Sequence, residues 1–289
     1  MKNDELPAML QGRLPARRVL LRGAALLSLT AAAGCWSADR AGTPTKTPAA
    51  SPPPAPGPPA GRPRNSAAYR LRPMTGYGPQ RELPARPAVR KAPILKMADS
   101  ERRMVLTFDD GPDPRYTPGI LKTLRRYDVR AMFFVCGEMA EANPDLMRRM
   151  ADDGHTVGNH TWSHPQLTLL SRSAIRRQIE RTSDVVDDLV GEPPRWFRAP
   201  YGAWNRATFQ LGSEFGMEPL AWTVDTLDWR EPGTGTIVRR VLDGAGPGVV
   251  VLSHDAGGDR SQSVQALRTY LPRLLDAGYH FSAPRSMAV

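Results

Sequence analysis

Met104-Val105-Leu106-Thr107-Phe108-Asp109-Asp110-Gly111-Pro112 is the stretch on which the fold turns. Its first five residues read as a buried strand, and two adjacent carboxylates close it before a Gly-Pro turn signal. Beyond the turn, residues 117–127 carry Ile120, Leu121, Leu124 and Tyr127 at helical spacing, and 131–135 is a second apolar strand. A helix over 144–152 stops at Gly154, and 155–159 reads as a short strand. Residues 173–190 form a long helix with Ser173 as N-cap and Gly191 at its end. Further strands are expected near 219–224, 249–253 and 279–282, with helices near 204–215, 235–243 and 262–276. This alternation predicts an α/β fold, a mostly parallel sheet with helices outside.

Outside this region the chain changes character. Residues 1–100 hold 16 Lys and Arg against 5 Asp and Glu, a net of +11. The rest holds 23 against 24, a net of −1, so the surplus of positive charge belongs to the N-terminal third. A nucleic-acid binder wants its basic face on the folded domain, and no nucleic-acid partner is expected. Arg13, Arg17, Arg18 and Arg22 form a basic n-region before a short apolar stretch, 23–33, too short to span a bilayer. Ala32-Ala33-Gly34-Cys35 resembles a lipobox, and Arg17-Arg18-Val19-Leu20-Leu21 a twin-arginine export signal. Residues 1–35 are therefore read as a signal peptide with a lipidated Cys35. Residues 36–98 are read as a disordered Pro-rich tether, with fourteen prolines between 41 and 95. Fully extended, it would reach on the order of 190 Å. Residues 99–289 are the catalytic domain in this reading. Localisation follows: the outer face of the cell membrane, facing the cell wall. The second cysteine, Cys136, lies in an apolar run and reads as a small buried hydrophobe rather than a reactive thiol.

Five short polar segments are spread in order along the folded region. They are 107–112, His160-Thr161-Trp162-Ser163-His164, Arg198-Ala199-Pro200-Tyr201, Asp225-Thr226-Leu227-Asp228-Trp229 and Leu252-Ser253-His254-Asp255. Because they follow several different strands, they would converge at the carboxyl-end face of a barrel. His160 and His164 are four apart, a spacing that on a helical turn brings both imidazoles to one side. With one carboxylate oxygen they make three ligands and leave an open position for water, the catalytic zinc pattern. Each segment alone has an ordinary structural explanation. Asp-Asp-Gly suits a capped turn, Arg198 a surface beside a turn, Asp225 and Asp228 a solvated loop, and His254 a satisfied core position. The ordered set suits a one-metal hydrolase, and three of the five histidines fall inside it.

The five segments resemble the five motifs of the polysaccharide deacetylases, carbohydrate esterase family 4, over about residues 102–284. That resemblance implies a distorted (β/α) barrel of about seven parallel strands and a divalent metal, zinc or else cobalt, held by Asp110, His160 and His164. It implies Asp109 as general base held by Arg198, and the Tyr201 backbone N–H as oxyanion donor. It implies Trp229 and Leu252 around the acetyl methyl, and His254 as general acid with Asp225 as its charge partner.

The expected function is removal of N-acetyl groups from an amino-sugar polymer, peptidoglycan foremost because it lies within tether reach. A monomer is expected, with an N-acetylated polysaccharide as partner and the membrane reached through lipid on Cys35. The alternatives are an acetyl xylan esterase or chitin-oligosaccharide deacetylase, with Trp162, Trp204 and Trp222 as sugar platforms, and an inactive wall-binding lipoprotein. A glycoside hydrolase using Asp109 and Asp228 would leave the His pair without a purpose.

Overall fold

The computed structural model describes residues 86–98 and 101–284. The expected signal peptide, Cys35 and the tether before residue 86 lie outside the described residues.

In chain order the elements are β1 (Arg103–Asp109), α1 (Thr117–Arg126), β2 (Met132–Val135), α2 (Gly137–Ala142), α3 (Pro144–Asp152), β3 (Thr156–Asn159), α4 (Arg172–Val190) and β4 (Trp196–Phe197). There follow α5 (Arg206–Glu214), β5 (Glu218–Pro219), β6 (Val224–Asp225), α6 (Thr234–Asp243), β7 (Val250–His254), α7 (Ser261–Asp276) and β8 (His280–Phe281). Every ladder between these strands is parallel. Seven strands run in the order β5-β4-β3-β2-β1-β7-β6, and β8 pairs with the start of β1. The sheet curls into a half-barrel with helices packed outside, the distorted (β/α) barrel the motifs imply.

Alternation along the strands sorts two apolar layers. Val105, Met132, Phe134, Trp196, Leu220 and Val250 form a small cluster on one face. Leu106, Phe108, Phe133, Val135 and Val251 face the other way, onto Ile120, Leu121 and Leu124 of α1 and Leu267, Leu271 and Leu274 of α7. Each fully buried Leu or Phe in that outer layer contributes about 1.5–3 kcal/mol. α4 begins at Ser171, whose side chain accepts from the Ala174 amide, two residues before the expected Ser173 cap. Gly191 ends the helix in the left-handed conformation, as expected. The single strand expected over 219–224 is two short ones, β5 and β6, which join opposite edges of the sheet. β4 and α2 escape sequence reading, since β4 has two residues and α2 six.

Among the described residues no ladder joins β5 to β6. A strap formed by residues 86–98 fills that gap. Ile94 N donates to Pro219 O at 2.8 Å, and Ala221 N donates to Ile94 O at 2.8 Å. Met97 N donates to Gly248 O at 2.9 Å, and Thr223 Oγ1 to Leu95 O at 2.6 Å. Arg90 Nε donates to Glu218 Oε2 at 2.5 Å, and Ser213 Oγ to Pro87 O at 2.5 Å. The folded unit therefore begins before the expected boundary at residue 99. Pro87 and Pro93 argue against a regular strand, but neither occupies a position where the strap must donate a hydrogen bond.

Candidate active site

β1 delivers both carboxylates of its polar end. Asp109 is the last strand residue, and Asp110 turns away with φ +77, in the left-handed region. That reversal parts the two side chains. Asp110 Oδ1 comes to 3.5 Å from His160 Nε2 and 3.3 Å from His164 Nε2. The three ligand atoms lie within 4.8 Å of one another. His160 follows β3, but the 160–164 segment is a loop, not the helical turn expected from the spacing. Thr161 (φ +72) and His164 (φ +55) are both left-handed, and these reversals bring the imidazoles to a ring separation of 4.9 Å.

The donor set fits a divalent ion. Asp110 Oδ1 is buried and has no hydrogen-bond donor among the described residues. His160 Nδ1 lies 2.8 Å from Arg198 O, which fixes Nδ1 as the protonated nitrogen and leaves the Nε2 lone pair facing Asp110. Burial outweighs the pull of Asp110 and lowers the His160 pKa to about 3, so the ring is neutral, as a metal ligand must be. Cys136 lies beneath the loop, its thiol 3.9 Å from His160 O. Burial first, then the nearby carboxylates, push that thiol well above its ordinary range, consistent with an inert packing residue.

Arg198, fully buried after β4, is the hub of the site. Nη1 donates to Asp109 Oδ1 at 2.6 Å and to Thr107 Oγ1 at 2.8 Å. Nε and Nη2 donate to Leu220 O and Ala221 O at 3.0 and 2.9 Å. The guanidinium carbon sits 4.1 Å from the centroid of the Phe134 ring. Burial raises the Asp109 carboxyl above its ordinary range, while Arg198 draws it back toward the ionised form. Its other oxygen, Oδ2, lies 3.6 Å from His160 Nε2, so the carboxylate stands beside the candidate metal-ligand cluster.

Opposite Asp109 in the β1–β7 register is His254. Its partner is Asp228, not the expected Asp225. Asp228 Oδ1 accepts from His254 Nδ1 at 2.6 Å, and Oδ2 accepts from His254 N and Ser263 Oγ at 2.9 and 2.6 Å. Asp225 Oδ1 instead accepts from the Leu227 amide at 2.8 Å. That local bond and the left-handed Leu227 (φ +49) turn the chain so that Asp228 reaches back over the end of β7. Burial alone would make His254 less basic, but Asp228, then Asp110 and Asp109, raise its pKa to about 9.

A family model for polysaccharide deacetylases matches residues 96–220. The chain is 36% identical over 202 residues to the chitooligosaccharide deacetylase of Rhizobium leguminosarum bv. trifolii, covering 66% of this chain and 94% of that one. The chain belongs to the polysaccharide deacetylase family. It is also 41% identical over 195 residues to the peptidoglycan-N-acetylglucosamine deacetylase PgdA of Listeria monocytogenes, covering 68% of this chain but only 41% of the length of that relative. The crystal structure of the Bc1960 peptidoglycan N-acetylglucosamine deacetylase superposes with a TM-score of 0.65 at 35% identity, covering 68% of this chain and 95% of that one.

The remaining positions implied by membership of the polysaccharide deacetylase family are also placed. Tyr201 is left-handed (φ +61) in a 3-10 turn after β4, and its exposed ring meets His164 edge-on at 4.5 Å. Leu252 is buried on β7, two residues before His254 and on the same face. Trp229 follows Asp228, 47% exposed, with Arg230 4.5 Å from its ring centroid. Trp204 stacks on Phe209 and lines a groove of ≈ 660 Å³ with Val89, Arg90 and Lys91 of the strap. None of the metal-ligand candidates lines that groove. Trp162 is covered by Arg181 at 3.6 Å, and Trp222 packs beside Gly202.

Proposed function

We propose that this chain is a metal-dependent hydrolase that removes N-acetyl groups from an amino-sugar polymer, with peptidoglycan as the substrate. The observation that carries the proposal is the placement of Asp109 and His254 as register partners on β1 and β7, beside the cluster of Asp110, His160 and His164. A divalent ion such as zinc, held by those three, would lower the pKa of a water toward about 7 and polarise an acyl oxygen.

The chain's own groups supply the proton transfers. Asp109, oriented by Arg198, takes a proton from the attacking water. In this reading the Tyr201 backbone N–H receives the negative charge on the acyl oxygen. His254, kept protonated by Asp228, gives its proton to the departing amine nitrogen. The C–N bond breaks, leaving acetate and a free amine. Leu252 and Trp229 form the apolar side that admits the acetyl methyl. Peptidoglycan is favoured by the deacetylases of that specificity among the relatives and by the export and lipidation signals, which would bring the domain to the wall. In this reading Cys35 is lipidated, the tether reaches outward from the membrane, and the domain acts as a monomer.

The test is acetate release by the purified chain from peptidoglycan, chitin oligomers and acetylated xylan, before and after chelation and after adding zinc. Chelator-sensitive release from peptidoglycan is expected. Release from xylan alone would replace the amidase reading by an esterase one, and no release from any substrate with metal bound would favour a wall-binding role. Labelled fatty acid should enter the wild-type chain in cells but not Cys35→Ala; equal labelling would remove the lipoprotein assignment.

A further inference from the structure

Asp255 follows the proposed acid but has no place in the chemistry above. It is fully buried. Its Oδ2 accepts from Thr117 Oγ1 at 2.6 Å, and that hydroxyl accepts from Asp113 N at 2.8 Å. Its backbone N donates to Asp109 O at 3.1 Å. The carboxyl also presses on the turn after Asp110. A Cβ added to Gly111 would lie 2.2 Å from Asp255 Oδ2 and 2.3 Å from Oδ1. Two residues on, the chain returns the contact: a Cβ on Gly257 (φ +75) would lie 2.5 Å from Asp110 Oδ2. Segment 255–257 thus grips the 109–113 turn from both sides.

The turn needs such a grip. Asp110 holds a left-handed backbone, and left-handed non-glycine residues persist where their surroundings over-determine them. The same reversal aims Asp110 Oδ1 between His160 and His164. Asp255 Oδ1 has no hydrogen-bond partner among the described residues, so the carboxyl sits where it does at a cost in unmet hydrogen bonding. Replacing it with an apolar side chain would relieve that cost and release the turn together.

We infer that Asp255 is a positioning residue for the metal site: with Thr117 it locks the Gly111 turn and thereby sets the direction of the Asp110 carboxylate. The inference rests on the proposed ligand role of Asp110, His160 and His164. It differs from the charge-partner role of Asp228, because the Asp255 carboxyl bonds the Thr117 hydroxyl, whereas the His254 ring gives its Nδ1–H to Asp228. It acts by shape and by the hydrogen bond it accepts from Thr117.

The experiment measures zinc affinity of the full chain by competition with a chromophoric chelator, without substrate, together with the visible spectrum of the cobalt-loaded protein. Asp255→Ala should weaken zinc binding by roughly 10- to 100-fold, the usual effect of removing a group that orients a ligand, and should alter the cobalt spectrum. Asp255→Asn keeps the shape and an acceptor for Thr117, and should restore affinity to within about threefold of wild type. Thr117→Val should shift affinity in the same direction as Asp255→Ala, and decides the matter if that variant does not fold. Wild-type affinity in Asp255→Ala or Thr117→Val would overturn the inference. An equal loss in Asp255→Asn and Asp255→Ala would also overturn it, since charge rather than position would then be responsible. His160→Ala is the control: if it too binds zinc normally, the ligand assignment has failed rather than the role of Asp255.

Discussion

His254 gives its Nδ1–H to Asp228 Oδ1 across 2.6 Å, while the other Asp228 oxygen accepts from the His254 backbone and from Ser263. One buried carboxylate therefore fixes the imidazole's tautomer, its plane and its charge. In the protonated ring Nε2 is the second donor.

The first consequence is a titration. Burial would make His254 less basic, but Asp228 and the two β1 carboxylates raise its pKa to about 9. In the metal-free protein, an NMR titration of the His254 ring should give a midpoint well above the ordinary 6.5. Asp228→Asn should bring it down, and Asp225→Asn should move it far less. Acetate release should fall by on the order of 100-fold or more in Asp228→Asn. A larger loss in Asp225→Asn would reverse the assignment.

Stability follows with a definite sign. A histidine whose folded pKa is raised stabilises the fold fully below its unfolded pKa of about 6.5, and loses that contribution as pH climbs through the folded value of about 9. Urea midpoints of the metal-free wild type should therefore decline between roughly pH 6.5 and 9 more steeply than those of Asp228→Asn. Parallel curves would show that the pair does not couple to folding.

The pair of Arg198 and Asp109 is buried on both sides, at 0% and 3% side-chain exposure. Arg198→Met should cost about 3–5 kcal/mol, because it strands a buried carboxylate. Adding Asp109→Asn should recover part of that loss. Denaturation of the four proteins of this cycle measures the coupling directly. Additive losses would mean that the backbone bonds of Arg198, not its ion pair, hold the region.

Metal content should separate the proposed ligands from the proposed acid. Asp110→Ala, His160→Ala and His164→Ala should each lose bound zinc and activity, read by elemental analysis and acetate release. His254→Ala should keep zinc and lose turnover. Full activity in any of the three ligand variants would defeat the ligand assignment.

The strap gives the fifth prediction. A chain starting at residue 99 lacks the backbone bonds of Ile94 and Met97 and the Arg90–Glu218 ion pair. It should melt below a chain starting at residue 86 by roughly 4–8 °C, as expected for about 2 kcal/mol in a domain of this size. Equal melting temperatures would make the strap an ornament of the open edge.

Much of this was legible in the residues because it is local. Strand and helix periodicity located β1, β2, α1, α4 and α7, and motif order brought Asp110, His160, His164, Arg198 and His254 to one end of the sheet. Other features depended on contacts the periodicity does not carry. β4 and β5 have two residues each and exist because their neighbours pair with them. The strap reads as tether by composition and becomes part of the domain only through its bonds to Pro219 and Gly248.

The sequence by itself determined the α/β alternation, the family and the set of reactive side chains, since these lie in short runs whose spacing survives without any fold. Only the tertiary structure decided which aspartate serves His254. Asp225 and Asp228 are three residues apart and equal in chemistry. A left-handed Leu227 turns the second one onto β7, while the first spends its oxygen on the turn itself.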